Sequence, residues 1–363
     1  VSLLTVNVGS SSVRLAAYDR ETRALAEQHV EGNDAAQAGE VLRGFARRTS
    51  VAPVEALAHR VVHGGERFSA ATRIDSEVEA EIDRLSELAP LHNPPALAWI
   101  RAARTQFPDL PQVAVFDTAF FAQLPLSART YAIDAELAAR LRVRRYGFHG
   151  LAHRFLWQSW EQARARGAGG RLISLQLGSG CSIAAIRDGA PLDTSMGFTP
   201  LEGLVMATRC GDIDPGLLVY LQRHEGWSAE QLERYLNHDC GLAGLSGESG
   251  DVRTLLASNH PAARLALEVF CYRARKYVGA YLAVLGGVDA ILFGGGVGEH
   301  APAVRASILQ GLEWAGIALD AARNQASTGA AASIAAPGAA IDVRVVPVDE
   351  SLILAREARA ALA

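Results

Sequence analysis

Two stretches of this chain carry the same pattern of apolar and polar positions. Residues 3–19 read LLTVNVGSSSVRLAAYD, and residues 172–188 read LISLQLGSGCSIAAIRD. They align without a gap at an offset of 169 residues, with Leu3 on Leu172, Val6 on Leu175, Asn7 on Gln176, Gly9 on Gly178, Ser10 on Ser179, Ala16 on Ala185 and Asp19 on Asp188. Each reads as an apolar strand, a tight Gly/Ser turn and a second apolar strand, which is a β-hairpin with a small-residue tip. Two such hairpins in one register, nearly half a chain apart, predict a duplicated α/β domain.

The remaining pattern alternates strands and helices. Residues 114–116 (AVF) predict a short strand ending before Asp117, and residues 290–293 (AILF) another that runs into Gly294-Gly295-Gly296. Between them, Leu267, Phe270, Cys271, Ala274, Tyr277, Val278, Tyr281 and Leu285 follow helical spacing and predict a long amphipathic helix. Val304, Ile308 and Leu312 give a second helical stripe. Residues 343–348 (VRVVPV) predict a last strand and residues 351–363 a terminal helix. The Ala-rich stretch 321–340 contains Gly and Pro and reads as a loop or short helix at the surface. This alternation argues for an α/β architecture.

Composition narrows the field. A chain of 363 residues accommodates two domains, or three, and buries about three quarters of its unfolded surface without a disulfide or metal staple. Hydrophobic residues at 49% and charged residues at 20% exclude a disordered chain. Lys plus Arg is 35 against 39 Asp plus Glu, a net charge of -4, so no basic excess exists to neutralise nucleic acid. Cys181, Cys210, Cys240 and Cys271 lie at least 29 residues apart, which is neither a CxxC nor a zinc spacing and points to reduced thiols in a cytoplasmic protein. No apolar run reaches the ~18 residues of a membrane span. The opening VSLLTVNVG has neither a basic n-region nor a long apolar h-region, so no signal peptide is expected.

Several positions offer chemistry, each beside a plainer reading. Gly9-Ser10-Ser11-Ser12 and Gly178-Ser179-Gly180 are hairpin turns or phosphate cradles, since small residues let backbone N–H groups approach an anion. Neither has the Walker spacing. Gly294-Gly295-Gly296-Val297-Gly298-Glu299 follows a strand and opens a helix, where a ligand can lie against backbone. A dinucleotide fold would carry its glycines after the first strand, so this favours nucleotide binding over a nicotinamide cofactor. Arg60 and Arg209 sit beside Gly-rich turns and are surface ion-pair formers or binders of carboxylate and phosphate. Asp117 and Glu350 end strand-like segments, as caps or as Mg²⁺ ligands. His149, in YGFHG, is structural or an acid, base or donor to developing charge.

Together the segments VNVGSSSVR, HRVVHGGERF, LAPLHNPP, VFDTAF, RYGFHG, LGSGCS, TSMGFTPLEGL, TRCGDIDP, FGGGVGEH and VDESLILARE resemble the acetate kinase family. They run in the family's order from Asn7 to Glu357, and HNPP, FDTAF, GFHG and MGFTPLEG are highly specific. The resemblance implies duplicated ribonuclease H-like domains of the actin-like ATPase type flanking an active-site cleft. The N-terminal domain would span residues 1–117 plus 352–363, and the nucleotide-binding domain residues 118–351. It implies direct in-line phosphoryl transfer between ATP and acetate or another short carboxylic acid, giving acetyl phosphate and ADP, with Mg²⁺ or Mn²⁺. A cytoplasmic homodimer with no nucleic acid or membrane partner is implied too.

Carried over by position, Arg60 and Arg209 would hold the carboxylate and the phosphoryl in transit. Asp117 and Glu350 would organise Mg²⁺ with Asn7 close by, and His149 would bond the equatorial phosphoryl oxygens. Val62, Leu91, Phe148 and Pro200 would line a pocket for the alkyl end of the acid. Ser10, Ser12, Arg14, Gln176, Gly178, Ser179 and Gly180 would face the phosphates. Asp251, Val252 and Arg253, with Gly296, Val297, Gly298, Glu299 and His300, would border the adenosine. Arg14, Gln176 and Ser179 stand where the family usually has Lys, His and Asn, and the segment between Asp19 and His59 is short. These departures bear on nucleotide affinity and phosphoryl donor more than on the acid, and the intact glycine segment favours ATP over pyrophosphate. The rival readings are a propionate or butyrate kinase, a weakly active paralogue, and an ATP-driven binding module of the actin or chaperone type. Arg60, Arg209 and HNPP argue against the last.

Overall fold

The two repeated segments fold as hairpins. β1 (Ser2–Val8) pairs antiparallel with β2 (Ser12–Tyr18), Val8 opposite Val13, and the Gly9 N–H closes the turn on the Ser12 carbonyl at 2.8 Å. The second hairpin joins Arg171–Leu177 to Cys181–Arg187, Leu177 opposite Cys181, with the Gly178 N–H on the Gly180 carbonyl at 3.1 Å. The computed structural model describes residues 1–9, 12–48, 53–164 and 169–363. Ser10 lies outside the described residues.

Each hairpin seeds a six-stranded sheet, and the two sheets share one topology. In the first, β3 (Ala24–Glu31), β4 (Val54–Val61), β5 (Thr72–Arg73) and β6 (Gln112–Phe116) complete the order β3-β2-β1-β4-β6-β5. In the second, β7 (Arg171–Leu177), β8 (Cys181–Arg187), β9 (Ala190–Thr194), β10 (Ala290–Gly294), β11 (Ala332–Ser333) and β12 (Asp342–Val345) run β9-β8-β7-β10-β12-β11. Three antiparallel strands come first in each, then two parallel ones, then a short antiparallel edge. The duplication read from 17 residues therefore extends over both sheets.

The first compact unit comprises Val1–Ala122, Phe148–Phe155 and Asp349–Ala363. Alternation along its strands divides the core. Leu3, Ala16, Ala58 and Val115 face the terminal helix Glu350–Leu362 through Ile353, Leu354 and Ala358. Leu4, Val6, Leu15 and Leu57 face Leu42 and Phe45 of the helix Ala38–Arg48 and Trp99 and Ala103 of the helix Asn93–Gln106. Each fully buried Leu, Ile or Phe contributes about 1.5–3 kcal/mol. The second unit comprises Gln123–Gly147 and Leu156–Val348. Its longest element is the predicted amphipathic helix, Pro261–Leu285, which buries Ala263, Ala266, Phe270, Cys271, Ala274, Val278, Tyr281 and Leu285. Pro261 starts it and Gly286, at φ 67°, ends it.

The division at 117/118 and 351/352 expected from the resemblance falls differently here. Residues 118–122 stay with the first unit because the 3-10 turn Asp117–Phe121 continues from β6 and buries Phe120 and Phe121. Residues 148–155 join it because the helix Gly150–Ala163 starts hard against the Asp117 carbonyl. The last strand ends at Val345, short of the expected 348, since Pro347 has no N–H for the ladder. The Ala-rich stretch is not wholly superficial. It forms the helix Ala321–Ala326 and β11, and it buries Asn324, Ser327 and Ile334. Among the described residues no helix is long and apolar enough to cross a membrane, and all four cysteines are free thiols.

Candidate active site

The first unit gathers five of the predicted polar residues. Arg60, near the end of β4, meets Asp117, just past the end of the neighbouring β6. Arg60 Nη2 donates to Asp117 Oδ2 at 2.6 Å, and Nε reaches both carboxylate oxygens at 3.2 Å. Arg60 Nη1 donates to Asn7 Oδ1 at 3.2 Å, and Asn7 Nδ2 donates to Glu350 Oε2 at 2.8 Å. Glu350 Oε2 stands 4.0 Å from Arg60 Nη1. His149 adopts the left-handed conformation, φ 57°, and its amide donates to the Asp117 carboxylate. Gly150 is required next to it, because a Cβ there would lie 1.9 Å from the Asp117 carbonyl oxygen.

Burial pushes the Asp117 carboxyl up, against the pull of Arg60 and the His149 amide. Burial also works against the Arg60 charge, but Asp117 and Glu350 outweigh it and hold the guanidinium above its ordinary value. The pair is therefore an ion pair. Three of the five Arg60 N–H donors are engaged (Nε, one on Nη2, one on Nη1), which leaves two for a ligand among the described residues. One turn into the helix Gly150–Ala163, burial and the neighbouring His149 push His153 down to about 3, so it is neutral.

Val62 and Phe148 are both buried in this unit. His63, beside Val62, packs edge-on to the Phe148 ring at 5.6 Å. Asn93, the first residue of its helix, clamps the His63 backbone, accepting from His63 N–H and donating to the His63 carbonyl, each at 3.1 Å. His63 Nδ1 accepts from the Gly65 amide at 3.0 Å. Leu91 is 46% exposed, and Pro200 belongs to the second unit. Arg14 is exposed on β2, opposite Asn7.

In the second unit, Arg209 Nη1 donates to the Pro200 carbonyl at 2.8 Å. Among the described residues no carboxylate lies within ion-pair distance of it. Burial lowers its pKa, with only Cys181 acting the other way. Its loop is locked by Asp212, whose carboxylate accepts from the Gly203 amide and the Tyr277 hydroxyl, both at 2.8 Å. A largely buried guanidinium with no counter-charge among the described residues has the chemistry to receive an anion.

A cavity of about 720 Å³ opens in the same unit. Gly178, Ser179, Asp251, Val252, Arg253, Gly296, Val297 and His300 line it, as do Ala207 and Gly250. Gln176, Gly180, Gly298 and Glu299 are not part of its lining. Gln176 lies behind the glycine segment, where its Nε2 would be 3.0 Å from a Cβ on Gly295. Glu299 points elsewhere, accepting from the Val348 amide at 3.2 Å. Asp251 caps the helix Val252–Ala257 and pairs with the exposed Arg253. The residues that sequence reasoning passed over are Asn93 and His63, Ala207 and Gly250. The segments HRVVHGGERF and HNPP contain His63 and Asn93 but name no role for them, and no motif contains Ala207 or Gly250.

The oxygen donors near Arg60 suit a hard cation carried by a substrate. Asp117 is saturated by Arg60 and the His149 amide, whereas Glu350, 18% exposed at the side chain, uses Oε2 on Asn7. Among the described residues no group of three His, Cys, Asp or Glu side chains forms a cation cage. Mg²⁺ takes one or two carboxylates plus phosphate oxygens and water, so Glu350 with Asn7 fits it.

The profile of the acetokinase family matches residues 20–356. An acetate kinase of Clavibacter michiganensis is 51% identical over 86% of this chain and 79% of its own length, and one of Solibacter usitatus is 48% identical over 86% and 77%. Among solved structures, an acetate kinase of Porphyromonas gingivalis is 34% identical over all of both chains with a TM-score of 0.90. A propionate kinase of Francisella tularensis is also 34% identical, over 98% of both chains, with a TM-score of 0.90. A family profile spanning nearly the whole chain, half-identical relatives and superposable structures lead to one conclusion: the chain belongs to the acetokinase family.

Proposed function

We propose that this chain reversibly transfers the terminal phosphoryl group of ATP to acetate, giving acetyl phosphate and ADP. The observation that carries this reading is the 51% identity, over 86% of the chain, to a protein named acetate kinase. The site chemistry supports it. Acetate is ionised at neutral pH, so its oxygen attacks the γ-phosphorus without a general base. The loose transition state spreads charge over the phosphoryl oxygens, and catalysis then rests on positioned donors.

Each residue has a part in this. The glycine segment and Asp251–Arg253 receive the nucleotide in the cavity of the second unit. Arg209, without a counter-charge among the described residues, binds a phosphate or carboxylate. Arg60, oriented by Asp117 and Asn7, offers its two remaining donors to the acid or the phosphoryl. Asp117 acts through Arg60 and His149 and is a positioning residue. Glu350 and Asn7 would hold Mg²⁺, which supplies neutralisation of phosphate charge. His149, strained at φ 57°, is aimed by its own amide bond to Asp117 and donates to the phosphoryl oxygens.

The equal likeness to a propionate kinase leaves acid size to the pocket, for which the buried Val62 and Phe148 are the candidate walls in the first unit. A hydroxamate assay with ATP, Mg²⁺ and formate, acetate, propionate and butyrate tests the reading. Highest kcat/KM with acetate is expected, and no acyl phosphate from any acid refutes it. We also propose a cytoplasmic homodimer. The helix Pro215–Glu225 buries none of its residues and exposes Leu217, Val219 and Tyr220, an apolar face suited to a second copy. Sedimentation of a monomer at micromolar concentration would refute the dimer.

A further inference from the structure

The helix Gly295–His300 presents Gly296, Val297 and His300 to the cavity. Its other side rests on Arg305, in the first half of the following helix Pro302–Leu309. Arg305 is fully buried and has no carboxylate within ion-pair distance among the described residues. All five of its N–H donors are nevertheless used. Nη1 donates to the carbonyls of Gly298 and Glu299 at 2.8 and 3.0 Å. Nη2 donates to the carbonyls of Asn324 and Ser327, both at 2.8 Å, and Nε donates to Asn324 Oδ1 at 2.8 Å.

The four carbonyls belong to the C-terminal ends of two helices, Gly295–His300 and Ala321–Ala326. Each helix end carries up to about half a negative charge, so the two together stand in for the missing carboxylate. Only a guanidinium has the donors and the planar fork for this task, and a lysine has three donors at most. The same corner carries the cavity wall. The Glu299 carbonyl also accepts from the Gly329 amide at 3.3 Å. Gly329, at φ 73°, packs so closely under His300 that a Cβ would lie 2.5 Å from the imidazole Cε1. Arg305 thus fixes both the glycine helix and the 327–329 turn behind His300.

We propose that Arg305 is a positioning residue for nucleotide binding, holding the Gly296–Val297–His300 wall of the cavity from behind without touching the ligand. The proposal rests on the reading of that cavity as the ATP site. It predicts a selective loss. Arg305→Lys keeps a charge but drops at least two donors, and should weaken ADP and ATP binding about tenfold, the worth of about one charge-assisted hydrogen bond passed on to the cavity wall. The KM for acetate should stay within about twofold. Asn324→Ala, which removes only the Nε acceptor and the bond from Asn324 Nδ2 to the Pro302 carbonyl, should give a smaller shift of the same kind.

The full chain is titrated with ADP by calorimetry, and KM is measured for ATP and acetate, with thermal unfolding followed in parallel. A cooperative unfolding transition with a raised nucleotide Kd and an unchanged acetate KM supports the assignment. If Arg305→Lys fails to fold, Asn324→Ala decides by the same readouts. Nucleotide affinity equal to wild type, or equal losses for both substrates, overturns the positioning role alone. A wild-type chain that binds no ADP overturns instead the cavity reading beneath it.

Discussion

Asp117→Asn separates positioning from metal ligation. Asp117 is fully buried, and its partner Arg60 is 12% exposed at the side chain. The substitution keeps size and shape but removes the charge, and it turns an amide donor toward Arg60 or the His149 amide. Losing one partner of a buried, hydrogen-bonded ion pair costs about 3–5 kcal/mol, chiefly because the other charge is left uncompensated. Arg60 has one alternative, Glu350, 4.0 Å away. Movement toward it would take Arg60 out of register with the transferred group, and kcat should fall by about 10²–10³. Every Asp117 oxygen is engaged within the protein, so the Mg²⁺ concentration for half-maximal rate should change less than about twofold. Glu350→Gln, which removes the available carboxylate, should raise it about tenfold or more. Urea unfolding measures the stability loss, and Mg²⁺ titrations of initial rate measure the second effect. An Mg²⁺ requirement raised as much by Asp117→Asn as by Glu350→Gln would put Asp117 on the metal and refute this reasoning.

Arg209→Ala removes a guanidinium that no carboxylate among the described residues neutralises, and should lower turnover by roughly 10²–10³ with little loss of stability. Near wild-type kcat in a purified sample would exclude it from the reaction. Val62→Ala opens volume beside His63 and Phe148 and should move kcat/KM toward propionate by about 1–3 kcal/mol per methylene, seen mainly in KM. An unchanged acid profile would take Val62 out of the pocket. Burial pushes His59 and His63 down to about 4 and His153 to about 3, so between those values and about 6.5 the unfolded chain binds more protons than the folded one. The stability is present above about pH 6.5 and lost as pH falls, by about 2 kcal/mol for each of the three at pH 5. Equal unfolding free energies at pH 7.5 and pH 5 would contradict it.

What was legible in the sequence follows from how each interaction is encoded. The hairpins were visible because strand, turn and strand are local, and seven aligned positions sufficed to reveal a duplication that the sheet order then repeats. The long helix was visible because its buried face recurs at helical spacing, with only Leu267 and Tyr277 half-buried among the stripe. Arg60 and Asp117 were each recognisable by residue type beside a turn. Their pairing was not, because it depends on the parallel register of β4 on β6, which places Arg60 opposite Val115 and joins residues 57 positions apart. The Ala-rich stretch reads as superficial from its sequence because Ile334, which the fold buries, is a single large apolar residue among small ones.

Arg305 marks the limit of such reading. It sits beside the apolar stripe of Val304 and Ile308, where a pattern of side chains reports only a charged residue next to a core position. Its partners are four backbone carbonyls and one amide oxygen, and backbone groups leave no trace in residue types. The same holds for the His149 amide on Asp117. At both ends of the proposed reaction, then, a positioning side chain that does not touch substrate is tied to main-chain groups whose place depends on helix starts and stops. Those boundaries are the least legible feature of a sequence. It follows that substitutions altering a helix end, such as a Cβ at Gly150 against the Asp117 carbonyl, should disturb catalysis as severely as loss of the reacting side chains themselves.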